Sequence, residues 1–421
     1  MEFGLIGERL GHSCSPEIHR AFGRYDYSLK ELSPAQLGAF LEKREFRGIN
    51  VTIPYKEAVI PHLDRIDERA AAIGAVNTIV NRNGQLWGYN TDFGGMEAAL
   101  GRAGIVLAGK RVLILGTGGT SKTALAVCRA LGAREVLRVS RTGRVGAISY
   151  EEALATYGAP LIRLRAEGLG LVLINTTPAG MYPDLEGMAM EPEAFPELEG
   201  VFDCIYNPLR TRLVLGARRL GLPAEGGLSM LVKQAALACQ LFTGEALAPE
   251  KTEQVYQELR AQRENLVLIG MPGAGKTTVG RLLAQKTRMN FVDTDEEIVK
   301  FAGMSIPEIF AARGEAGFRE LETEVIRDLS RTGGSVIATG GGAILREENL
   351  RRLRQNGRLY FLDRPLEALL PTEDRPLGNT REKVAALYAA RLPIYKNAAD
   401  VTITCPATPE EAADAILQAA P

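Results

Sequence analysis

Cysteine is scarce and scattered in this chain of 421 residues. Cys14, Cys128, Cys204, Cys239 and Cys405 form no C-x-x-C pair, so neither a zinc site nor a disulfide framework is indicated. Net charge is nearly absent: 50 Lys and Arg against 51 Asp and Glu leave -1, giving no electrostatic reason to expect nucleic acid or a membrane as partner. No apolar run reaches the ~18 residues of a membrane span. The opening MEFGLIGERLGHS lacks the basic stretch and apolar core of a signal peptide. Internal repetition is missing too, which favours a fusion over a duplication. What remains, 46% hydrophobic and 24% charged residues, is ordinary for a globular enzyme. The length suits two or three domains, and a cytoplasmic location is expected.

Two unrelated nucleotide-binding signatures are present. RVLILGTGGTSKTALAV (111–127) has the Gly-rich turn of a dinucleotide fold, and NLVLIGMPGAGKTTVGRLLA (265–284) holds a full Walker A loop. Around them, EFGLIG (2–7) reads as a strand, 16–24 as a helix opened by Pro16, and GINVTIPYK (48–56) as a strand entering a loop. AVNTIV and LWGYNTD read as a hairpin around Asn81-Arg82-Asn83-Gly84. From Arg111 strands and helices alternate, the mark of a parallel sheet with crossover helices. A helix starting at Leu228 ends at Gly244. The polar stretch 245–265 reads as an exit helix and linker, with too few apolar residues for a large core, and a fresh alternation starts at Leu266.

In the first signature, glycines at 116, 118 and 119 permit a tight turn whose N–H groups reach a pyrophosphate. The next strand ends in Ser140-Arg141-Thr142, where an NAD-selective fold places an acid; Arg between hydroxyls favours a 2′-phosphate, hence NADP. Upstream, Lys56 and Asp92 could form the proton-donating pair that ketone reduction needs, although spacing alone does not bring them together. GHSCSP (11–16) offers two hydroxyls in a Gly/Pro-framed loop, suited to anchoring a carboxylate or polyol, or to capping a helix.

The ordered motifs GHSCSP, GINVTIPYK, GAVNT, YNTD, GTGG, NTTPAGM, YNPLRT and GGLSMLVKQA resemble shikimate dehydrogenase across residues 1–260. The resemblance implies that Ser13, Ser15, Thr52, Asn77, Asp92, Tyr206 and Gln234 hold shikimate, with Lys56 and Asp92 as the catalytic pair. It implies an NADP site of Glu68, Gly116, Thr117, Gly118, Gly119, Thr120, Ser140, Arg141, Thr142, Cys204 and Gly227, with Tyr206 and Gly227 beside the nicotinamide. Ser140 departs from the Asn usual there.

In the second signature, GMPGAGKTT (270–278) fits G-x-x-x-x-G-K-[ST]. Backbone groups of Gly273, Ala274, Gly275, Lys276, Thr277 and Thr278 would cradle phosphates, Lys276 would bridge β- and γ-oxygens, and Thr277 would bind Mg²⁺. NFVDTDEEI carries Asp293 and Asp295 at a strand end, on one side of the pleat if the strand continues. One would reach the Mg²⁺ shell and the other an acceptor hydroxyl; a helix cap with an acidic turn is the alternative. Arg319 and Glu322 stand one helical turn apart, and VIATGGGAI ends a strand in three glycines that allow close backbone approach to a ligand.

These motifs, with IFAARGEAGFRELE, DRPL and RLPIY, resemble shikimate kinase over residues 265–421. The resemblance implies that Asp295, Arg319, Gly341 and Arg391 hold shikimate, the two arginines clamping its carboxylate. Arg375 would cover ATP from a lid segment that is short for the family.

The expected fold is α/β: a substrate domain (1–100 plus 228–250), a Rossmann-like NADP domain (101–227), a linker (251–264) and a P-loop kinase domain with a parallel sheet (265–421). The expected function is NADPH-dependent reduction of 3-dehydroshikimate followed by MgATP-dependent phosphorylation of shikimate. Its partners would be those small molecules, with a homodimer open as the assembly. Two alternatives stand beside it: a quinate dehydrogenase using NAD, and a C-terminal half that binds ATP only to regulate.

Overall fold

Among the described residues the alternating apolar segments build three sheets of six, six and five strands in a computed structural model. The structure describes every residue except 12, 24, 142–145, 159–168, 370–379, 405–407 and 421. Two compact units follow one another, Met1–Glu258 and Leu259–Pro421. Among the described residues no helix is long and apolar enough to cross a membrane.

The first sheet contains β1 (Phe3–Gly7), β2 (Tyr27–Glu31), β3 (Gly48–Val51), β4 (Arg65–Ile66), β5 (Thr78–Arg82) and β6 (Gln85–Tyr89), in the order β2-β1-β3-β5-β6-β4. Its β5–β6 pair is the expected hairpin. Asn83 (φ 54) and Gly84 (φ 88) both take the left-handed conformation that a two-residue turn requires. The helix Thr91–Arg102, not read from the sequence, leaves β6 through Asn90, whose side chain accepts from Phe93 N.

The second sheet is wholly parallel: β7 (Arg111–Leu115), β8 (Glu135–Ser140), β9 (Ile148–Ser149), β10 (Leu171–Asn175), β11 (Leu198–Asp203) and β12 (Ala224–Glu225), in the order β12-β11-β10-β7-β8-β9. This is the doubly wound dinucleotide order, whose direction reverses between β7 and β10, the place where such sheets bind ligands. β7 is buried on both faces. Val112 and Ile114 enter one core, Leu113 and Leu115 the other, as period-two alternation demands.

The third sheet, in the second unit, is also parallel: β13 (Asn265–Ile269), β14 (Asn290–Asp293), β15 (Ser335–Ala338), β16 (Gly357–Asp363) and β17 (Val401–Thr404), ordered β14-β15-β13-β16-β17. The central strand β13 feeds the Walker loop directly.

The stretch expected to be too poor in apolar residues for a core needs correcting. Helix Pro249–Arg263 buries Val255, Tyr256 and Leu259, because positions 255 and 259 stack one turn apart on a single face. Arg102 also donates to Glu253 (3.1 Å) and lies 4.2 Å over the Tyr256 ring. A few apolar residues suffice when they share a stripe.

Candidate active sites

In the first unit, Lys56 and Asp92 meet. The Lys56 Nζ donates to Asp92 Oδ2 at 2.6 Å, and both side chains are largely buried. Asp92 lies in the first turn of helix Thr91–Arg102, whose start is fixed by Asn77: its Oδ1 accepts from Thr91 N (2.7 Å) and its Nδ2 donates to Thr91 Oγ1 (3.0 Å). Thr91 in turn donates to Gln234 Oε1 at 3.4 Å, on helix Leu228–Thr243. Asn77, Asp92 and Gln234 are thus joined around one point, although 157 residues separate the first from the last. Ser13 Oγ donates to Ser15 Oγ at 3.1 Å at the start of helix Ser15–Phe22. Thr52 is half-buried just beyond β3.

The Gly-rich turn reaches the same place. Gly116 has φ 110, a conformation that favours glycine, and its N–H donates to Val139 O at the end of β8. Gly118 faces open space, and a Cβ on Gly119 would stand 3.7 Å from Lys56 Cδ. The N-terminus of the nucleotide helix therefore adjoins the Lys–Asp pair. Thr117 and Thr120 are half-buried in this turn, Ser140 is buried at the end of β8, and Arg141 is exposed directly after it. Such a turn fits a pyrophosphate, and an exposed Arg at the second strand fits a 2′-phosphate. Thr142 lies outside the described residues. Glu68 is exposed in the first turn of helix Glu68–Ile73, and no described bond draws it toward the other site residues.

Several groups around this site escaped sequence reasoning. Asp203 ends β11 fully buried. Its Oδ1 accepts from Asn175 Nδ2 and Ile205 N, both at 3.0 Å, and its Oδ2 accepts from Thr211 Oγ1 at 2.7 Å. Burial pushes its carboxyl up to about 7 against those three donors. The neighbouring Cys204 thiol is also pushed up, first by burial and then by Asp203 and Asp92. On the opposite side, Tyr27 donates to Asn50 Oδ1 (2.8 Å), and the ring of buried His19 stacks on Tyr27 at 4.0 Å. Burial holds the His19 imidazole down to about 3, so it is neutral at physiological pH. The NTTPAGM and YNPLRT runs contain Asn175 and Thr211, and Cys204 was expected at the NADP site, but nothing singled out Asp203 or His19.

In the second unit, Gly270 (φ 148), Gly273 (φ 84) and Gly275 (φ 89) give the Walker loop its curvature before helix Lys276–Thr287. The buried Lys276 Nζ donates to the carbonyls of Gly270 and Met271, each at 2.9 Å, which draws the ammonium back against the loop's own start. Ala274 is buried, Thr278 is exposed, and Thr277 Oγ1 donates to Asp293 Oδ2 at 2.7 Å. A hydroxyl and a carboxylate at that spacing, below a phosphate-cradling loop, fit Mg²⁺.

The shared-pleat geometry expected for Asp293 and Asp295 is corrected. β14 stops at Asp293, which caps helix Thr294–Ala302 by accepting from Asp295 N at 3.0 Å. Capping competes with strand continuation, and Asp is a strong cap. Asp295 therefore sits in the first helical turn.

The three glycines have a more specific role than ligand approach. A Cβ on Gly340 would lie 2.7 Å from Asp295 Oδ1, one on Gly341 would lie 2.7 Å from Pro272, and one on Gly342 would overlap the Arg319 guanidinium. Arg391 Nη1 donates to Gly341 O at 3.1 Å, and the Tyr395 hydroxyl donates to the same oxygen. Asp295, Arg319 and Arg391 thus converge on this one segment. Arg319 forms a largely buried ion pair: it donates to Glu322 Oε2 at 2.8 Å, and the Glu322 side chain is fully buried. Burial raises the Glu322 carboxyl against the pull of Arg319. Arg375 lies outside the described residues.

Known proteins match both halves. The family model of the shikimate dehydrogenase substrate binding domain matches residues 5–79, and that of shikimate kinase matches residues 272–421. The NADP(+) shikimate dehydrogenase of Clostridium perfringens is 36% identical over 271 residues, covering 62% of this chain and 98% of that protein. A chorismate mutase/shikimate 5-dehydrogenase fusion protein from Clostridium acetobutylicum superposes with a TM-score of 0.56 at 30% identity, over 61% of this chain and 96% of that one. The Thermus thermophilus shikimate 5-dehydrogenase, solved with NADP(H) and shikimate, gives 0.53 at 32% identity, over 61% and 99%. With the dinucleotide order of the second sheet and the Walker loop of the third, the chain belongs to the shikimate dehydrogenase family through its first part and carries a shikimate kinase domain behind it.

Proposed function

We infer that the chain reduces 3-dehydroshikimate with NADPH in its first unit and phosphorylates the resulting shikimate with MgATP in its second. One observation carries the reading: each nucleotide loop opens beside a cluster of carboxylate, hydroxyl-binding and cationic side chains. Gly119 adjoins Lys56 and Asp92, and Pro272 of the Walker loop adjoins the glycines on which Asp295, Arg319 and Arg391 converge.

In the reductase, NADPH held by Gly116, Thr117, Gly118, Gly119, Thr120 and Arg141 supplies the hydride. Lys56 holds a proton at Nζ, kept in place by Asp92 at 2.6 Å, and gives it to the oxygen that gains charge. Ser13, Ser15, Thr52, Asn77 and Gln234 read the hydroxyls and carboxylate. In the kinase, MgATP held by the loop 270–278 supplies the γ-phosphoryl group, with Thr277 and Asp293 on the metal side. Lys276, which donates to the Gly270 and Met271 carbonyls, would hold phosphate oxygens instead once MgATP is bound, a better partner for an ammonium in a buried site. Asp295 accepts from the acceptor hydroxyl, while Arg319 and Arg391 clamp the carboxylate.

The domain reading is a substrate domain at 1–100 completed by the helix after Leu228, an NADP domain at 101–227 and a kinase domain beyond the helix Pro249–Arg263. Two separate assays test the function. NADPH oxidation should require 3-dehydroshikimate, and ADP release should require shikimate. Preferential oxidation of quinate with NAD⁺ would overturn the first assignment, and ATP binding without shikimate-dependent turnover would overturn the second.

A further inference from the structure

Among the described residues, the Asp203 carboxylate is the one buried acid of the reductase unit that the proposed chemistry leaves unused, yet it lies at the carboxyl ends of β10 and β11, beside the switch point of the sheet. Three donors converge on it: Asn175 from β10, the Ile205 N–H from the turn leaving β11, and Thr211, which caps helix Arg212–Arg219. When ionised the carboxyl is acceptor-only and suits three donors, but burying that charge is costly, which is why its proton is held up to about pH 7. The placement suggests what offsets that cost.

The turn that Asp203 anchors is the floor for the next segment. Gly227 N donates to Ile205 O at 2.8 Å, and Cys204 N donates to Asn175 O at 3.0 Å. A Cβ on Gly227 would overlap Cys204 O, and one on Gly226 would lie 2.7 Å from Leu209 O, so the two backbones are in direct contact without room for a side chain. Gly227 is the residue from which helix Leu228–Thr243 starts, and that helix carries Gln234. Through Ile205 the one carboxylate thus fixes Tyr206, Gly227 and the substrate helix relative to the dinucleotide sheet.

We infer that Asp203 is a positioning residue of the reductase: by clamping Asn175, Ile205 and Thr211 it holds the 204–206 turn and Gly227 in register, and so sets the alignment of nicotinamide and substrate. The inference rests on the reading of Tyr206 and Gly227 as the nicotinamide wall. Its role is alignment, so its loss acts on turnover more than on substrate affinity.

The test uses the full chain and the variants Asp203→Ala, Asp203→Asn and Thr211→Val. Hydrogen–deuterium exchange without cofactor or substrate should show residues 203–206 and 226–229 exchanging about tenfold faster in Asp203→Ala, with β7 unchanged. In steady state, kcat for 3-dehydroshikimate should fall roughly 10–100-fold, as for a misplacement near 1 Å, while its KM stays within about threefold and the isotope effect with deuterated NADPH rises. Asp203→Asn, which can still accept from Asn175 and Ile205 and can donate to Thr211, should restore most of the turnover. If Asp203→Ala fails to fold, Thr211→Val removes one donor, keeps the carboxylate and should shift kcat and isotope effect the same way by a smaller factor. A folded Asp203→Ala or Thr211→Val with wild-type exchange, kcat and isotope effect overturns the inference; so does a loss in which KM rises as much as kcat falls. A wild-type chain without NADPH-dependent reduction of 3-dehydroshikimate removes the underlying reading, and the inference with it.

Discussion

Gly342→Ala is the perturbation whose effect follows most directly from the geometry of the kinase site. The new methyl would stand roughly 1 Å closer to the Arg319 guanidinium than the ~3.5 Å at which heavy atoms pack. A guanidinium at the end of a flexible side chain could usually move aside, but this one is held by Glu322 at 2.8 Å and Glu315 at 3.3 Å and is almost buried. Retreat must weaken the bond to Glu322 or withdraw the charge from the substrate side. Loss of one charge-assisted hydrogen bond costs about 1.5–3 kcal/mol. At about 1.4 kcal/mol per factor of ten, this predicts a rise of roughly 10–100-fold in KM for shikimate. The assay is ADP release against shikimate concentration at saturating ATP, with NADPH-dependent reduction on the same sample as control. The control should not change, because Gly342 lies in the other unit. A Gly342→Ala chain with wild-type KM for shikimate would refute the placement of Arg319 at the substrate.

Lys56→Ala should lower reductase kcat by ~10²–10⁴-fold, the range for losing a positioned acid; NADPH oxidation measures it, and kinase turnover should be unaffected. Arg141→Ala should raise KM for NADPH far more than for NADH, since only the former bears a 2′-phosphate; equal effects would remove the NADP assignment. Lys276→Ala should cut kinase turnover by roughly 10²–10³-fold or more and make shikimate accumulate from 3-dehydroshikimate while reduction continues. Asp203 binds its proton up to about pH 7 in the folded chain but only to 3.8 unfolded, so its own contribution to the stability of the first unit should decline as pH rises through that interval, against the opposite slope of His19, which is held to about 3 when folded and 6.5 unfolded. Asp203→Asn should abolish this decline, worth a few kcal/mol at about 1.4 per pH unit. The lone Trp87, in β6, reports that unit alone by fluorescence in urea titrations, and an unchanged pH dependence would contradict the account.

Local signals were the legible ones. Glycine and lysine spacing in GMPGAGKTT marks the Walker loop because its phosphate-cradling backbone requires those residues at those positions. The turn Asn83-Gly84 marks its hairpin because both residues tolerate positive φ. Lys56 and Asp92 were readable as types, but their pairing depends on β3 and helix Thr91–Arg102 converging, which no spacing encodes. Asp203 was invisible for the same reason: Asn175 is 28 positions away and Thr211 is 8, in separate elements. Strand end and helix cap both stood open for Asp293 and Asp295, because a capping Asp and a strand-end Asp look alike until the chain is seen to turn at Thr294. The triple glycine was read as room for a ligand; room for Asp295, Pro272 and Arg319 is a second demand on the same positions that only the fold reveals.

The central claim is that one chain carries out two consecutive steps on one molecule. The most direct measurement supplies the chain with 3-dehydroshikimate, NADPH and MgATP and follows the products by mass spectrometry. Shikimate 3-phosphate is expected, with shikimate alone when ATP is withheld and neither product when NADPH is withheld. Shikimate that forms and is never phosphorylated, or 3-dehydroshikimate that is never reduced, would contradict it.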